Sequence, residues 1–88
     1  IVIAYRDGGN SSYGTAIVGT VSDTSISFGS AVVFETTSTT YISAAFDSNS
    51  NKVVIAYRSS VGNAAHAIVG TVNDTSISFG NRQSLIIK

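Results

Sequence analysis

Arg6-Asp7 and Arg58 follow Tyr5 and Tyr57, and these are the residues of this chain best suited to hold a ligand. Guanidinium donors beside an aromatic face suit a sugar or a carboxylate, but the same residues also describe an aromatic-capped strand end with a solvated charge, which is the plainer reading. Asp47-Ser48-Asn49-Ser50-Asn51 has the alternating oxygens of a calcium loop, with Asp47, Asn49 and Asn51 as the candidate ligands. It lacks the glycine that should follow, and Arg58 stands where the twelfth-position glutamate belongs, so a hairpin turn is favoured. His66 is the only histidine and lies beside Ala64, Ala65 and Ala67. A metal ligand or general base would need partners that the sequence does not supply, so a structural or surface histidine is expected. Asn10-Ser11-Ser12 and Asn73-Asp74-Thr75 are glycosylation sequons, acceptors only in a eukaryotic secretory pathway. With three arginines and one glutamate in the whole chain, no catalytic set is expected and no cofactor is implied.

The composition narrows the partners. Five basic and five acidic residues cancel and are scattered, which argues against a nucleic-acid surface or an anionic membrane. No apolar run approaches the ~20 residues of a helical membrane span. Serine and threonine supply 24 of the 88 residues while proline and cysteine are absent, so the polar surface is built of hydroxyls and no disulfide staples the fold. That balance suits an extracellular, cell-surface or virion-surface β protein. A chain of this length buries only ~60–65% of its unfolded surface, so stability is expected to draw on packing against further units. The chain opens at Ile1, without Met and inside a strand-like run, and reads as a piece of a longer polypeptide.

The elements that position these residues come in two copies. Ala16 to Gly29, AIVGTVSDTSISFG, returns as Ala67 to Gly80 with 13 of 14 positions identical, and Val2 to Arg6 returns as Val54 to Arg58. Such self-similarity marks a repeat architecture in which each unit buries a face against its neighbour. Ile1 to Arg6 is apolar on both faces and reads as an inner strand, with Gly8 and Gly9 supplying positive φ in the loop that follows. Tyr13 to Val21 alternates, and Gly19 marks a close approach or a bulge. Ser22-Asp23-Thr24 is a tight turn, after which Ser25 to Phe34, broken at Gly29-Ser30, is one kinked strand or two short ones. Thr36 to Thr40 reads as a polar linker, Tyr41 to Phe46 as a strand, Asp47 to Asn51 as a turn, and Lys52 to Arg58 as the second copy of the opening strand. Seven strands and almost no helix are expected.

The hairpin Tyr41 to Arg58, YISAAFDSNSNKVVIAYR, resembles the inner two strands of a blade in sialidase-like β-propellers, and the ~51-residue unit resembles the tandem propeller repeats of bacterial and phage surface proteins. The turn between third and outer strands resembles a degenerate Asp-box, with Asp23, Ser25, Ser27 and Phe28 at its later positions, Val21 where the first Ser belongs, and Asp74, Ser76, Ser78 and Phe79 repeating it. The box is structural in that family. The resemblance implies an all-β fold of antiparallel four-stranded units, about one and three-quarter blades. Residues 1–40 would be a partial first repeat of three strands, and residues 41–88 a second repeat of four strands with an atypical end. It also places the strand-two loops on the side where propellers bind ligands.

Function is then expected in the loops that differ between copies, Asp7 to Tyr13 and Ser59 to His66, which makes Arg6, Asp7, Tyr13, Arg58 and His66 the candidate ligand-binding residues. The first expectation is a non-enzymatic repeat module for display, self-assembly or weak multivalent glycan or surface binding, its partners being further repeats, copies of itself or glycans. A fibre protein joined by strand edges at Ile1 to Arg6 and Leu85 to Ile87 is the alternative. A glycosidase-like fragment is third.

Overall fold

The computed structural model describes residues 1–61 and 64–85. They form eight strands and no helix: β1 (Val2–Asp7), β2 (Tyr13–Ser22), β3 (Ser25–Phe28), β4 (Val32–Asp47), β5 (Lys52–Ser59), β6 (Ala64–Asn73), β7 (Ser76–Phe79) and β8 (Gln83–Ser84). Every pairing is antiparallel. The order β1-β2-β4-β5-β6-β7, with β3 added on β2 and β8 on β6, makes one sheet curled into a half-barrel.

The turns follow from short polar side chains. Asp23 and Asp74 carry φ of 57° and 59° in the two-residue loops that join β2 to β3 and β6 to β7, a conformation that Asp tolerates better than most residues. In each loop a serine closes the turn, Ser25 Oγ donating to the Ser22 carbonyl at 3.2 Å and Ser76 Oγ to the Asn73 carbonyl at 2.9 Å. Between β1 and β2 the positive φ values fall on Ser11 and Ser12 instead of Gly8 and Gly9. The Asp7 carbonyl accepts from the amides of Asn10 and Ser12 and fixes that loop.

The break at Gly29 resolves as two strands on one edge of β2. β3 pairs with its far half (Gly19 opposite Phe28) and β4 with its near half (Ala16 opposite Val32), and β7 and β8 occupy the matching positions on β6. Gly19 gives room to a side chain: a Cβ there would lie 2.8 Å from Ile26 Cδ1.

The expected polar linker at Thr36 to Thr40 is a strand. β4 runs unbroken from β2 to β5, with Thr39 and Thr40 opposite Ser59 and Arg58. β-Branched threonine suits extended backbone, and the hydroxyls of Thr37 and Thr39 find internal acceptors. The strand turns its corner through a register shift between Thr40 and Ser43, where Tyr41 takes φ 53°. Eight strands replace the expected seven because the outer strand is split in both copies, while the linker joins the second piece of the first one to the expected strand Tyr41 to Phe46 as β4.

The core lies inside the curl. Val53, Ile55, Tyr57 and Ser59 alternate as the buried side of β5, and His66, Ile68 and Gly70 are their partners on β6. Across the curl the first copy contributes Val2 and Ala4, partly buried, with buried Ala16 and Val18. Phe34 sits between them, 5.1 Å edge-on to Tyr57 and 5.7 Å from Phe79. Ile3, Tyr5 and Ile17, the counterparts of Ile55, Tyr57 and Ile68, lie on the other face of the first copy. The two copies therefore turn opposite faces inward.

Candidate functional site

The chain's one glutamate is the centre of its interior polar chemistry. β4 carries Glu35 across from the first copy, and its carboxylate meets the Tyr57 hydroxyl from β5 and Arg82 from the segment before β8. Tyr57 Oη donates to Oε1 at 2.9 Å, Arg82 Nη1 to the same oxygen at 2.6 Å, and Thr37 Oγ1 to Oε2 at 3.0 Å. Thr37 spends its proton on the carboxylate, so at the 2.7 Å contact between Thr37 Oγ1 and Ser59 Oγ the serine is the donor. Ser59 Oγ in turn accepts from the Val61 amide at 3.2 Å. Among the described residues no buried side-chain nitrogen or oxygen lacks a partner.

The electrostatics fix the protonation states. Burial alone raises the pKa of the Glu35 carboxyl, but hydrogen bonds from Arg82, Tyr57 and Thr37 and the arginine's charge bring it below its ordinary value. Burial first, and then the adjoining carboxylate, push the Tyr57 phenol well above its ordinary value. The phenol keeps its proton at neutral pH and works as a donor to the carboxylate. Arg82 is half-exposed and closes the cluster from the solvent side, where a shallow groove of about 260 Å³ runs past Val33, Thr36, Asn81 and Arg82. Glu35 and Arg82 were not among the expected site residues, and Tyr57 was expected only as an aromatic face beside Arg58. The available signal was a lone glutamate closing the apolar run Ala31 to Phe34, because a carboxylate next to such a run is buried only with partners.

The residues expected to bind fall elsewhere. Arg6 is exposed opposite Gly14, while Asp7 pairs with Tyr13 and accepts the Gly9 amide on Oδ1 at 3.1 Å. Arg58 lies opposite Ala65 in the second copy, its guanidinium 5.7 Å from the centroid of the Tyr41 ring. His66 lies within β6 and is buried, its ring 5.7 Å from Tyr57 and its Nδ1 3.4 Å from Ser84 Oγ. Arg6 and Asp7 thus belong to the first copy, Arg58 and His66 to the second, and His66 faces the core.

Asp47 ends β4 and uses both carboxylate oxygens in its own turn, accepting from the Asn49 amide at 3.2 Å and from Ser50 Oγ at 2.9 Å, while Asn51 takes φ 55°. No group of three or more His, Cys, Asp or Glu side chains is placed to hold a metal among the described residues. Asn10 and Asn73 are both exposed at turns.

Two surface features remain. An open apolar cleft of about 450 Å³ lies where Ile1 and Val2 approach Ala44, Phe46, Val53 and Val72. A smaller groove of about 230 Å³ runs between Tyr41, Ser43, Ala56, Arg58 and Leu85 on the outward face of the second copy. No protein-family model, curated protein or solved structure matches the chain.

Proposed function

We propose that this chain is a non-enzymatic repeat module of the propeller-like kind, a scaffold that joins to further units and displays the Asp7 to Tyr13 loop and the Tyr41–Arg58 surface at an extracellular or virion surface. The observation that carries the reading is the Glu35 cluster. The buried carboxylate, the phenol and the hydroxyls around it are consumed by one another at the junction of the two copies. Interior polar groups satisfied by one another in this way suit a role in holding units in register.

Display supplies the binding. Tyr41 is 79% exposed on a strained backbone with Arg58 at its ring, a pairing of aromatic face and guanidinium that suits a saccharide held weakly and repeatedly across many units. A glycan array probed with a multimeric presentation of the chain is the test. Binding lost in Tyr41→Ala and in Arg58→Ala is the expected result. Silence from every presentation removes the glycan role, and turnover of fluorogenic glycosides that disappears in Tyr57→Phe would overturn the non-enzymatic reading.

The second reading is a fibre joined by strand edges. β5 is hydrogen-bonded on both sides, to β4 and β6, whereas its counterpart β1 pairs with β2 alone among the described residues. An apolar edge strand is a template for a further strand. Leu85 is exposed, and the rest of the second edge named for this reading, Ile86 and Ile87, lies outside the described residues.

A further inference from the structure

Each copy of the repeat is apolar on both faces, and the chain uses one face from each. The Val2, Ala4, Ala16 and Val18 side of the first copy packs against the Val53, Ile55, Tyr57 and Ile68 side of the second. The complementary pair of faces is less covered, although Thr15 on the first copy's side is fully buried and Tyr5 and Ile17 there are half-buried. Ile3 is 37% exposed where its counterpart Ile55 is fully buried, and Ile26 is 42% exposed where Ile77 is 5%. On the other side Val69 is 45% exposed where Val18 is 3%, and Leu85 stands 51% exposed at the position of buried Phe34. Since the sequences are nearly identical, the open face of the first copy is the same surface that the second copy buries, and the reverse holds for the open face of the second.

We propose that a second copy of this chain stacks on the first face to face and head to tail. The Ile3, Tyr5 and Ile17 face of one chain sits on the Val54, Ala56 and Val69 face of the other, in the arrangement that the two sequence copies adopt within one chain. This deepens the repeat-module reading and rests on it. The accessible surface of 5581 Å² exceeds the ~4,900 Å² expected of a monomer of this mass, as two uncovered faces require. The groove between Tyr41, Ala56, Arg58 and Leu85 lies on the receiving face, so stacking and saccharide binding at Tyr41 and Arg58 exclude one another on any one chain. A heterologous contact of this kind repeats from chain to chain, closing into a ring or running on as a filament according to its rotation.

Two glycines mark the contact. A Cβ on Gly29 would run into the Thr75 carbonyl oxygen, so the first copy meets the β6–β7 turn there with no room for a methyl group. Gly80, the counterpart of Gly29, has nothing within 4 Å of its would-be Cβ. In the stacked pair that space receives the β2–β3 turn of the next chain at Thr24, the counterpart of Thr75.

Sedimentation velocity from low micromolar to near-millimolar concentration tests the proposal. The chain is expected to form dimers and larger species, and Gly80→Ala to raise the dissociation constant ~10-fold or more with the thermal midpoint and circular dichroism of the monomer unchanged. Val69→Lys, a change at an exposed site, is expected to do the same. A chain that stays monomeric throughout overturns the proposal. So does assembly indifferent to both substitutions, which points instead to strand-edge pairing. Glycosidase turnover by the monomer would sink the repeat-module reading while leaving the stacking test intact, so the two failures are distinguishable.

Discussion

Val2 to Arg6 and Val54 to Arg58 are the same five residues in one sheet, paired in the same register to equivalent following strands, yet the side that the second run buries is the side that the first leaves open. Ile55 is fully buried and Ile3 is not; Tyr57 is buried and hydrogen-bonded to Glu35, while Tyr5 is only partly covered. Identical sequence with different burial shows that how far each face is covered is set by the neighbour, not by the strand alone. A strand apolar on both sides fits on either side of a junction, which is the property a repeat needs if each unit is to present one face forward and the other back.

The largest expected difference between the copies is at this pair. Ile55→Ala should cost ~2–5 kcal/mol, as a core truncation does, while Ile3→Ala should cost ~1 kcal/mol or less in the monomer. Denaturant titration of both variants checks it, and equal losses would break the comparison. The glycines come next. Gly29→Ala should destabilise by ~1–3 kcal/mol because backbone must move to admit the methyl group, whereas Gly80→Ala should fall within ~0.5 kcal/mol of the parent in dilute solution.

The Glu35 cluster gives a smaller effect with a pH signature. Its carboxyl pKa is lowered below 4.5 in the folded chain, so its contribution is present above the unfolded value and is lost as pH falls through the lowered one. The phenol of Tyr57 is raised above 10.0, so its contribution is present below that value and is lost as pH rises beyond it. Thermal midpoints should therefore fall at both extremes. Glu35→Gln should cost ~1–2 kcal/mol at neutral pH and flatten the acid limb. The smallest effect is at the turn: Asp47→Ala removes two exposed hydrogen bonds at a cost of ~0.5–1 kcal/mol, with the same midpoint in calcium as in chelator.

Much of the fold was legible because strands and turns are local. Alternation in Tyr13 to Val21, the broken run at Gly29 and the turn formers around Asp23 and Asp47 mark elements that the structure contains. The choice of face was not legible, because a period of two cannot distinguish inside from outside when both sides are apolar. Thr36 to Thr40 was misread for a related reason: hydroxyl-rich composition resembles a loop, while β-branching and internal acceptors make it the corner of β4. The Glu35 cluster joins residues 22 and 47 positions apart, a separation that no local pattern reports.

The central claim, that neighbours and not sequence decide which face is buried, is tested most directly by thiol labelling. The chain has no native cysteine, so Ile3→Cys and Ile55→Cys each carry a single reporter in the same sequence context. In dilute solution Ile3→Cys is predicted to react far faster than Ile55→Cys and to become protected as concentration rises and chains stack. Equal labelling rates in the dilute folded protein would contradict the account.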